Sequence, residues 1–330
     1  IIPALLYYIA AVTMVYFRAS KKNLQGMEAD EVPDFKKLIL AKGYLFIPLL
    51  VLVYFLVSGY TPTYAAVFAI ISTVVVSLFK KETRMGPKRI IEALELGVRN
   101  ALGVATATAV VGIIVGVSTR TGFGSKLAGA IINWSGGNLI LTLFFTMIAC
   151  IILGLGMPSI PAYILTATMA APALRQLGIP PLVSHFFVFY FAMMANVTPP
   201  VALAAFAAAG ISGGDINKTG IQAFKMASAG FLIPYMFVLS PALLGLNSSM
   251  TQILLVAFTA LIGVIALASA NEGWFITKSN WIQRLLMLGA ALTLIKPGGY
   301  TDLIGFAMFI TVIVYQKLIT SKKEDKVFES

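Results

Sequence analysis

The chain has 330 residues, is 59% hydrophobic and only 11% charged, and has a mean hydropathy of +0.91. A soluble globular protein carries about 25% charged residues, so this composition excludes that class and points to an all-α polytopic membrane protein. The formal charge of +11 comes from basic residues between apolar runs, where they set topology rather than bind nucleic acid.

The chain opens on Ile1-Ile2-Pro3-Ala4-Leu5, inside an apolar run and without an initiator Met or a charged leader. The expectation is a C-terminal portion of a longer protein rather than a signal peptide. Residues 1–17 read as a transmembrane helix or the end of one. Residues 18–42 are polar, with Arg18, Lys21, Lys22, Lys36, Lys37 and Lys42. Spans come next at 44–57 and 64–79, joined by a tight turn at Ser58-Gly59-Tyr60-Thr61-Pro62. In the basic segment 80–100, Ile90, Ile91, Leu94 and Val98 lie opposite Lys88, Glu92, Glu95 and Arg99, the pattern of an amphipathic interfacial helix. Residues 101–118, rich in small residues, form the next span. Residues 119–137 read as a polar loop with a short helix, which leaves Arg120 in a loop.

Two interruptions of strongly apolar sequence dominate the middle of the chain. The first is Gly154-Leu155-Gly156-Met157-Pro158-Ser159-Ile160-Pro161, between apolar arms at 139–155 and 162–174. The arms are about 25 and 20 Å long, short of a hydrocarbon core about 30 Å thick, so they predict a re-entrant hairpin. The second is Asn196-Val197-Thr198-Pro199-Pro200, which divides a discontinuous span over 181–211. Gly and Pro are costly inside helices. In lipid a broken backbone persists only where protein buries it or where it lines a polar cavity, so paired breaks point to a binding site. Residues 219–229 read as amphipathic, with further spans at 231–246, 253–270, 282–295 and 300–318, and a polar tail carrying Lys317, Lys322, Lys323 and Lys326. The basic segments 18–42 and 80–100 are separated by two spans, so they share a side. That side is the cytoplasmic one, and counting onward places the C-terminus there too.

Cys150, the single cysteine, excludes an internal disulfide and a cysteine metal cluster, and reads as a small packed hydrophobe. No phosphate-binding loop, Ser-His-Asp set or His-Glu-x-x-His pattern occurs, so no enzyme and no organic cofactor is expected. No acidic residue lies between Glu95 and Asp215, which disfavours proton coupling in this portion. His185 reads as structural and Arg120 as a solvated charge.

Several motifs in order resemble one family. They are Ser118-Thr119-Arg120-Thr121-Gly122-Phe123-Gly124, Gly154-Leu155-Gly156-Met157-Pro158-Ser159 with Ala162-Tyr163, and Ser184-His185-Phe186-Phe187-Val188-Phe189-Tyr190-Phe191. Then come Thr198-Pro199-Pro200-Val201-Ala202-Leu203-Ala204, Pro234-Tyr235-Met236-Phe237 and Leu294-Ile295-Lys296-Pro297-Gly298. Together they resemble the large permease subunit of tripartite ATP-independent periplasmic (TRAP) transporters, in particular the fused permeases of the TAXI branch, over essentially the whole chain. The resemblance implies an inverted-repeat, elevator-type fold in a bacterial or archaeal inner membrane, and sodium-coupled import of an organic anion, a carboxylate. It implies as partners a TAXI-type periplasmic substrate-binding protein, a small membrane subunit or its fused equivalent, and a missing N-terminal repeat of the same protein. On that basis 1–100 would be the end of the first repeat with scaffold helices. The second repeat would be 101–246, with its hairpin at 139–174, and 247–330 would hold extra C-terminal helices.

Sodium takes hard oxygen ligands, which interrupted helices supply as freed carbonyls, and half-helix N-termini offer N–H groups to anions. The chemistry therefore nominates the carbonyls of Gly154 and Gly156 and the hydroxyls of Ser159 and Thr198 as a sodium site. Asn196 adds an amide oxygen or orients the substrate. Met157, Pro158, Pro199 and Pro200 complete the substrate-facing set, the prolines holding the breaks open. A non-transporting membrane scaffold or assembly subunit, in which the breaks merely pack, and a proton-coupled transporter are the alternatives. A transporter requires the two breaks to converge.

Overall fold

In the computed structural model, residues 1–24, 26, 34–295 and 298–328 are described, with side chains to 318. Lys296 and Pro297 of the last family-like motif lie outside the described residues. Every element among the described residues is helical apart from an isolated bridge between Trp274 and Lys278. The order is α1 Ile2–Lys21, α2 Phe35–Lys42, α3 Ile47–Val57, α4 Pro62–Ser77, α5 Pro87–Thr121, α6 Phe123–Ser135, α7 Leu139–Gly154 and α8 Ser159–Met169. Then come α9 Ala171–Gln176, α10 Pro181–Met194, α11 Leu203–Ser212, α12 Ile216–Ala227, α13 Ile233–Leu239, α14 Met250–Glu272, α15 Trp281–Thr293 and α16 Gly299–Phe328. Six helical stretches among the described residues are long and apolar enough to cross a bilayer, as a polytopic membrane protein requires.

The chain forms two compact units, residues 25–105 and residues 1–24 with 106–330. In the smaller one α3 and α4 make an antiparallel hairpin. Gly59, at φ +85, makes the turn, and the Thr61 hydroxyl accepts the Tyr64 N–H at 3.3 Å to cap α4. Rings of Phe55, Tyr60, Tyr64 and Phe68 pack along the hairpin, with Tyr60 and Tyr64 stacked. At its base the Tyr44 and Thr83 hydroxyls meet at 3.1 Å, and the Lys80 ammonium lies over the Tyr44 ring.

The larger unit is built on one contiguous apolar core. Leu6, Met14 and Phe17 of α1 meet Phe187 and Phe191 of α10, Ile233 and Phe237 of α13, Val264 and Leu267 of α14, Met287 of α15 and Phe309 of α16. The hairpin arms α7 and α8 pack on α10 at the side of this core. At 16 and 11 residues they are about 24 and 17 Å long, so neither alone matches a bilayer core.

The structure departs from the sequence reading in several places. The polar segment 18–42 ends in helix α2, which leads into the span read as 44–57, and the arm read as 162–174 divides into α8 and α9. The amphipathic segment 88–100 and the span 101–118 are one 35-residue helix, α5. No proline interrupts it after Pro87, and the Glu95–Arg99 ion pair at 2.8 Å supports the turn just before the expected boundary. The short helix expected within 119–137 is the 13-residue α6, which fills most of that segment, a single left-handed glycine, Gly122 at φ +66, being enough to turn the chain. Arg120 is therefore in the last turn of a helix. Finally, 231–246 is not one span. Pro234 and Pro241 lack N–H donors, and the segment divides into a 3-10 turn, the seven-residue α13, extended Ser240 and a second 3-10 turn.

Two glycines separate close approach from open space. A Cβ on Gly230 would lie 2.6 Å from the Tyr7 ring, whereas one on Gly129, within α6, would meet nothing within 4 Å. Gly230→Ala should lower thermal stability in detergent by about 1–3 kcal/mol through overpacking. Gly129→Ala should be neutral or stabilising by up to about 1 kcal/mol. Equal unfolding temperatures for the two variants would contradict the contact of α1 with the 228–232 turn.

Candidate functional site

The first break begins where α7 stops. Gly154, its last residue, is buried, and a Cβ there would stand 3.1 Å from both the Ala192 carbonyl oxygen and the Ala195 Cβ. The absence of a side chain is what lets α7 lie directly on the end of α10. Leu155 is extended, at ψ 128, and Gly156 takes φ +72, a conformation that favours glycine. The Gly154 carbonyl accepts the Met157 N–H at 3.3 Å. Among the described residues the carbonyls of Leu155 and Gly156 accept no backbone hydrogen bond. Pro158 then opens α8 as its N-cap, with no capping side chain. The N–H groups of Ser159 and Ile160, in the first turn, have no intrahelical acceptor, and Pro161 has no N–H to satisfy.

The second break begins with a 3-10 turn, Ala195–Val197, after α10. Thr198 is extended, the Pro199–Pro200 peptide is cis, and Ala202 is left-handed at φ +35. The two prolines supply no donors, so only the flanking residues can close the gap, and the Ala202 N–H reaches the Thr198 carbonyl at 3.1 Å. α11 restarts at Leu203, its first-turn N–H groups again unpaired within the helix.

The two breaks meet. A Cβ on Gly156 would lie 3.4 Å from Val201 Cγ1. Four helix ends therefore converge: the C-termini of α7 and α10, with partial negative charge, and the N-termini of α8 and α11, with partial positive charge. No carboxylate lies between residues 95 and 215, so the two breaks themselves offer a cation neutral oxygens and an anion backbone N–H groups.

The nominated residues differ in what they present. Ser159 is exposed, and its hydroxyl makes no hydrogen bond among the described residues. Thr198 is half-buried and its hydroxyl donates to the Met194 carbonyl at 2.8 Å, which secures the end of α10 and leaves the oxygen lone pairs free. The Asn196 amide nitrogen donates to the Met193 carbonyl at 3.3 Å, leaving Oδ1 available. Pro158 and Pro199 are half-buried and Pro200 exposed. Met157 instead packs with Val111, Leu165 and Met169, which ties the tip to α5 and α8. Gly154 serves chiefly as a contact point between helices.

Residues that the sequence reading passed over complete the geometry. Ala192 and Ala195 receive Gly154, and Val201 receives Gly156. The signal for Ala192 and Ala195 in the sequence was only smallness after an aromatic run, and that for Val201 only its place after Pro199-Pro200. The Tyr163 hydroxyl lies 3.0 Å from His185 Nδ1, and the Tyr163 ring lies edge-on to Phe189, so the lone histidine joins the second hairpin arm to the broken helix. Gly124 abuts the backbone of α8, with Thr168 O at 3.0 Å from its would-be Cβ. A separate apolar groove of about 870 Å³, lined by residues including Tyr7, Phe186, Tyr190 and Met193, contains neither tip.

Residues 1–252 match the family described as the tripartite ATP-independent periplasmic transporter, DctM component. Residues 253–312 match a domain of unknown function, DUF3394. Neither the curated proteins nor the solved structures include one that matches the chain.

Convergence is open to direct test. In a Cys150→Ala background, Gly156→Cys with Val201→Cys should form a disulfide under mild oxidation, read by mass as the loss of two alkylatable thiols. Both thiols staying alkylatable in folded protein would contradict the contact.

Proposed function

We propose how this chain, which belongs to the DctM component family of tripartite ATP-independent periplasmic transporters, couples an ion to its substrate. As the large permease component of such a secondary transporter it is a multi-pass inner-membrane protein. It works with a periplasmic binding protein and a small membrane subunit. In our reading the meeting of the two breaks is one half of the transport site. Carbonyls of Gly154, Leu155 and Gly156, with the Ser159 and Thr198 hydroxyls, hold a sodium ion. The N-termini of α8 and α11, with Asn196, face the carboxylate of an organic anion.

The observation that carries this reading is the approach of Gly156 to Val201, which brings unused carbonyls and unused N–H groups together inside strongly apolar sequence. Such groups cost several kcal/mol each if left in lipid, and a cation with an anionic substrate satisfies both kinds at once. The absence of carboxylates from 96 to 214 favours a neutral-oxygen sodium site over a proton carrier.

The family resemblance supports further proposals. The hairpin and the broken helix form the second of two inverted repeats and move as an elevator against a scaffold. The first repeat lies upstream of this portion and supplies the other half of the site. The delivering protein is of the TAXI type, the small subunit is fused or separate, and the C-terminus is cytoplasmic.

The test is uptake of organic acids into proteoliposomes by the full-length permease with its binding protein, with and without a sodium gradient. Ser159→Ala and Thr198→Ala should each raise the sodium concentration for half-maximal uptake about fivefold or more, as expected for a lost ligand worth ~1–3 kcal/mol. Thr198→Ser should stay near the parent. Uptake driven equally by a proton gradient alone would refute sodium coupling. Unchanged sodium dependence in both alanine variants would refute the site.

A further inference from the structure

We propose that residues 253–312, the segment of unknown function, are a buttress for the broken helix, acting through an ion-pair relay that starts at Glu272. The carboxylate of Glu272 holds Arg18 on α1, Arg18 holds Gln222 on α12, and α12 backs Ala202, where the broken helix restarts. This rests on reading the break as part of the transport site, but its test reads the geometry of the break itself.

Glu272 is in an unfavourable place for a carboxylate. It is the last residue of α14 and 4% exposed, so both the negative end of the helix dipole and the loss of water oppose its charge. Three cations offset this. Arg18 Nη1 donates to Glu272 Oε2 at 3.1 Å, and the Lys21 ammonium donates to the Glu272 carbonyl. Arg284 donates to the carbonyls of Ala270 at 2.8 Å and Asn271 at 3.2 Å. A buried ion pair contributes little net stability, yet losing one partner strands the other. Such a pair is best placed to fix position.

Arg18 is the hinge of the relay. Its second nitrogen, Nη2, donates to Gln222 Oε1 at 2.8 Å, so one planar guanidinium joins α1, α12 and α14. Among the described residues Gln222 Nε2 is buried without a partner, so Arg18 is what holds this side chain. Two residues earlier on α12, a Cβ on Gly220 would be in ordinary contact with Ala202 Cβ at 3.7 Å and Phe206 Cε1 at 3.8 Å. Ala202 is buried in a left-handed conformation that costs a non-glycine residue about 1–2 kcal/mol and persists only where its surroundings enforce it. The neighbouring Asn271 amide donates to the Ser228 hydroxyl at 2.8 Å, a second tie from α14 to the turn after α12. Helices α14, α15 and α16 share one core with α1, α10 and α13, so the segment is not a detachable appendage.

The test uses the full-length permease in native membranes, with its other cysteines replaced and a single reporter cysteine at Leu203, the first residue of α11. Glu272→Gln and Gln222→Leu should each raise the rate of maleimide labelling at this reporter about fivefold or more, as expected when local opening becomes easier. Gln222→Glu, which keeps an acceptor for Arg18, should stay within about twofold of the parent. A control reporter at Ile140, at the far end of α7, should not change. An unchanged rate at Leu203 in the folded Gln222→Leu variant would overturn the relay. An equal rise at both reporters would overturn it too, because that reports general loosening. If Glu272→Gln fails to fold, the Gln222 pair alone decides. Failure of sodium dependence in the Ser159 and Thr198 variants would refute the ion site and leave this test standing.

Discussion

Backbone hydrogen bonding in an apolar medium is the constraint on which the rest of this structure depends. A chain so poor in charge lives mostly in lipid, where each N–H and C=O needs a partner inside the protein. Continuous helices meet that demand. At Leu155–Pro158 and Thr198–Ala202 the chain does not, because glycine and proline remove helical conformation or donors there. Placing one break beside the other gathers the unsatisfied groups in one place, walled on one side by α10 and open at Ser159 and Pro200. Small side chains make this possible: Gly154 lies on Ala192 and Ala195, and Gly156 on Val201. The contact and the chemistry have one origin, since the residues that break the helices are also those that let them touch.

Around this spot the protein supplies rigidity from several directions. Met157 is anchored with Val111, Leu165 and Met169. Tyr163 and His185 join the second hairpin arm to α10. Gly124 lets α6 sit against the backbone of α8. On the far side of α10 the aromatic core of Phe187, Phe191 and Tyr235 links the broken helix to α13, and through the shared core to α1 and α14. A site made of backbone groups has no long side chains to adjust, so its geometry is set by how these helices pack.

Much of the fold was legible in the sequence, for identifiable reasons. Gly154, Gly156, Pro158, Pro199 and Pro200 interrupt apolar runs, and breakers in such runs have few structural uses. Both breaks therefore fall where the sequence places them. Asp215, Ser249 and Asn280 cap helix starts, a signal that the reading of the spans did not use. The continuity of α5 was not legible, because a change from amphipathic to apolar pattern suggests two elements, while the backbone has no proline after Pro87 and Gly97, Gly103, Gly112 and Gly116 stay helical. The fragmentation of 231–246 was understated, since apolar content outweighed Pro234 and Pro241. At the site, residue type could nominate oxygen donors but not say which were occupied. That Thr198 donates to Met194 while the Ser159 hydroxyl has no partner among the described residues depends on local geometry. The Arg18–Glu272 pair joins residues 254 apart, a separation that no spacing rule reaches.

The most direct measurement is electron cryo-microscopy of the full-length permease in lipid nanodiscs, prepared once in sodium and once in a sodium-free choline buffer. The account expects compact density, present only in sodium, between the Gly154–Gly156 carbonyls and the Thr198 hydroxyl, with Gly156 still against Val201. Sodium density elsewhere and none here, or breaks that stand apart in both preparations, would contradict it.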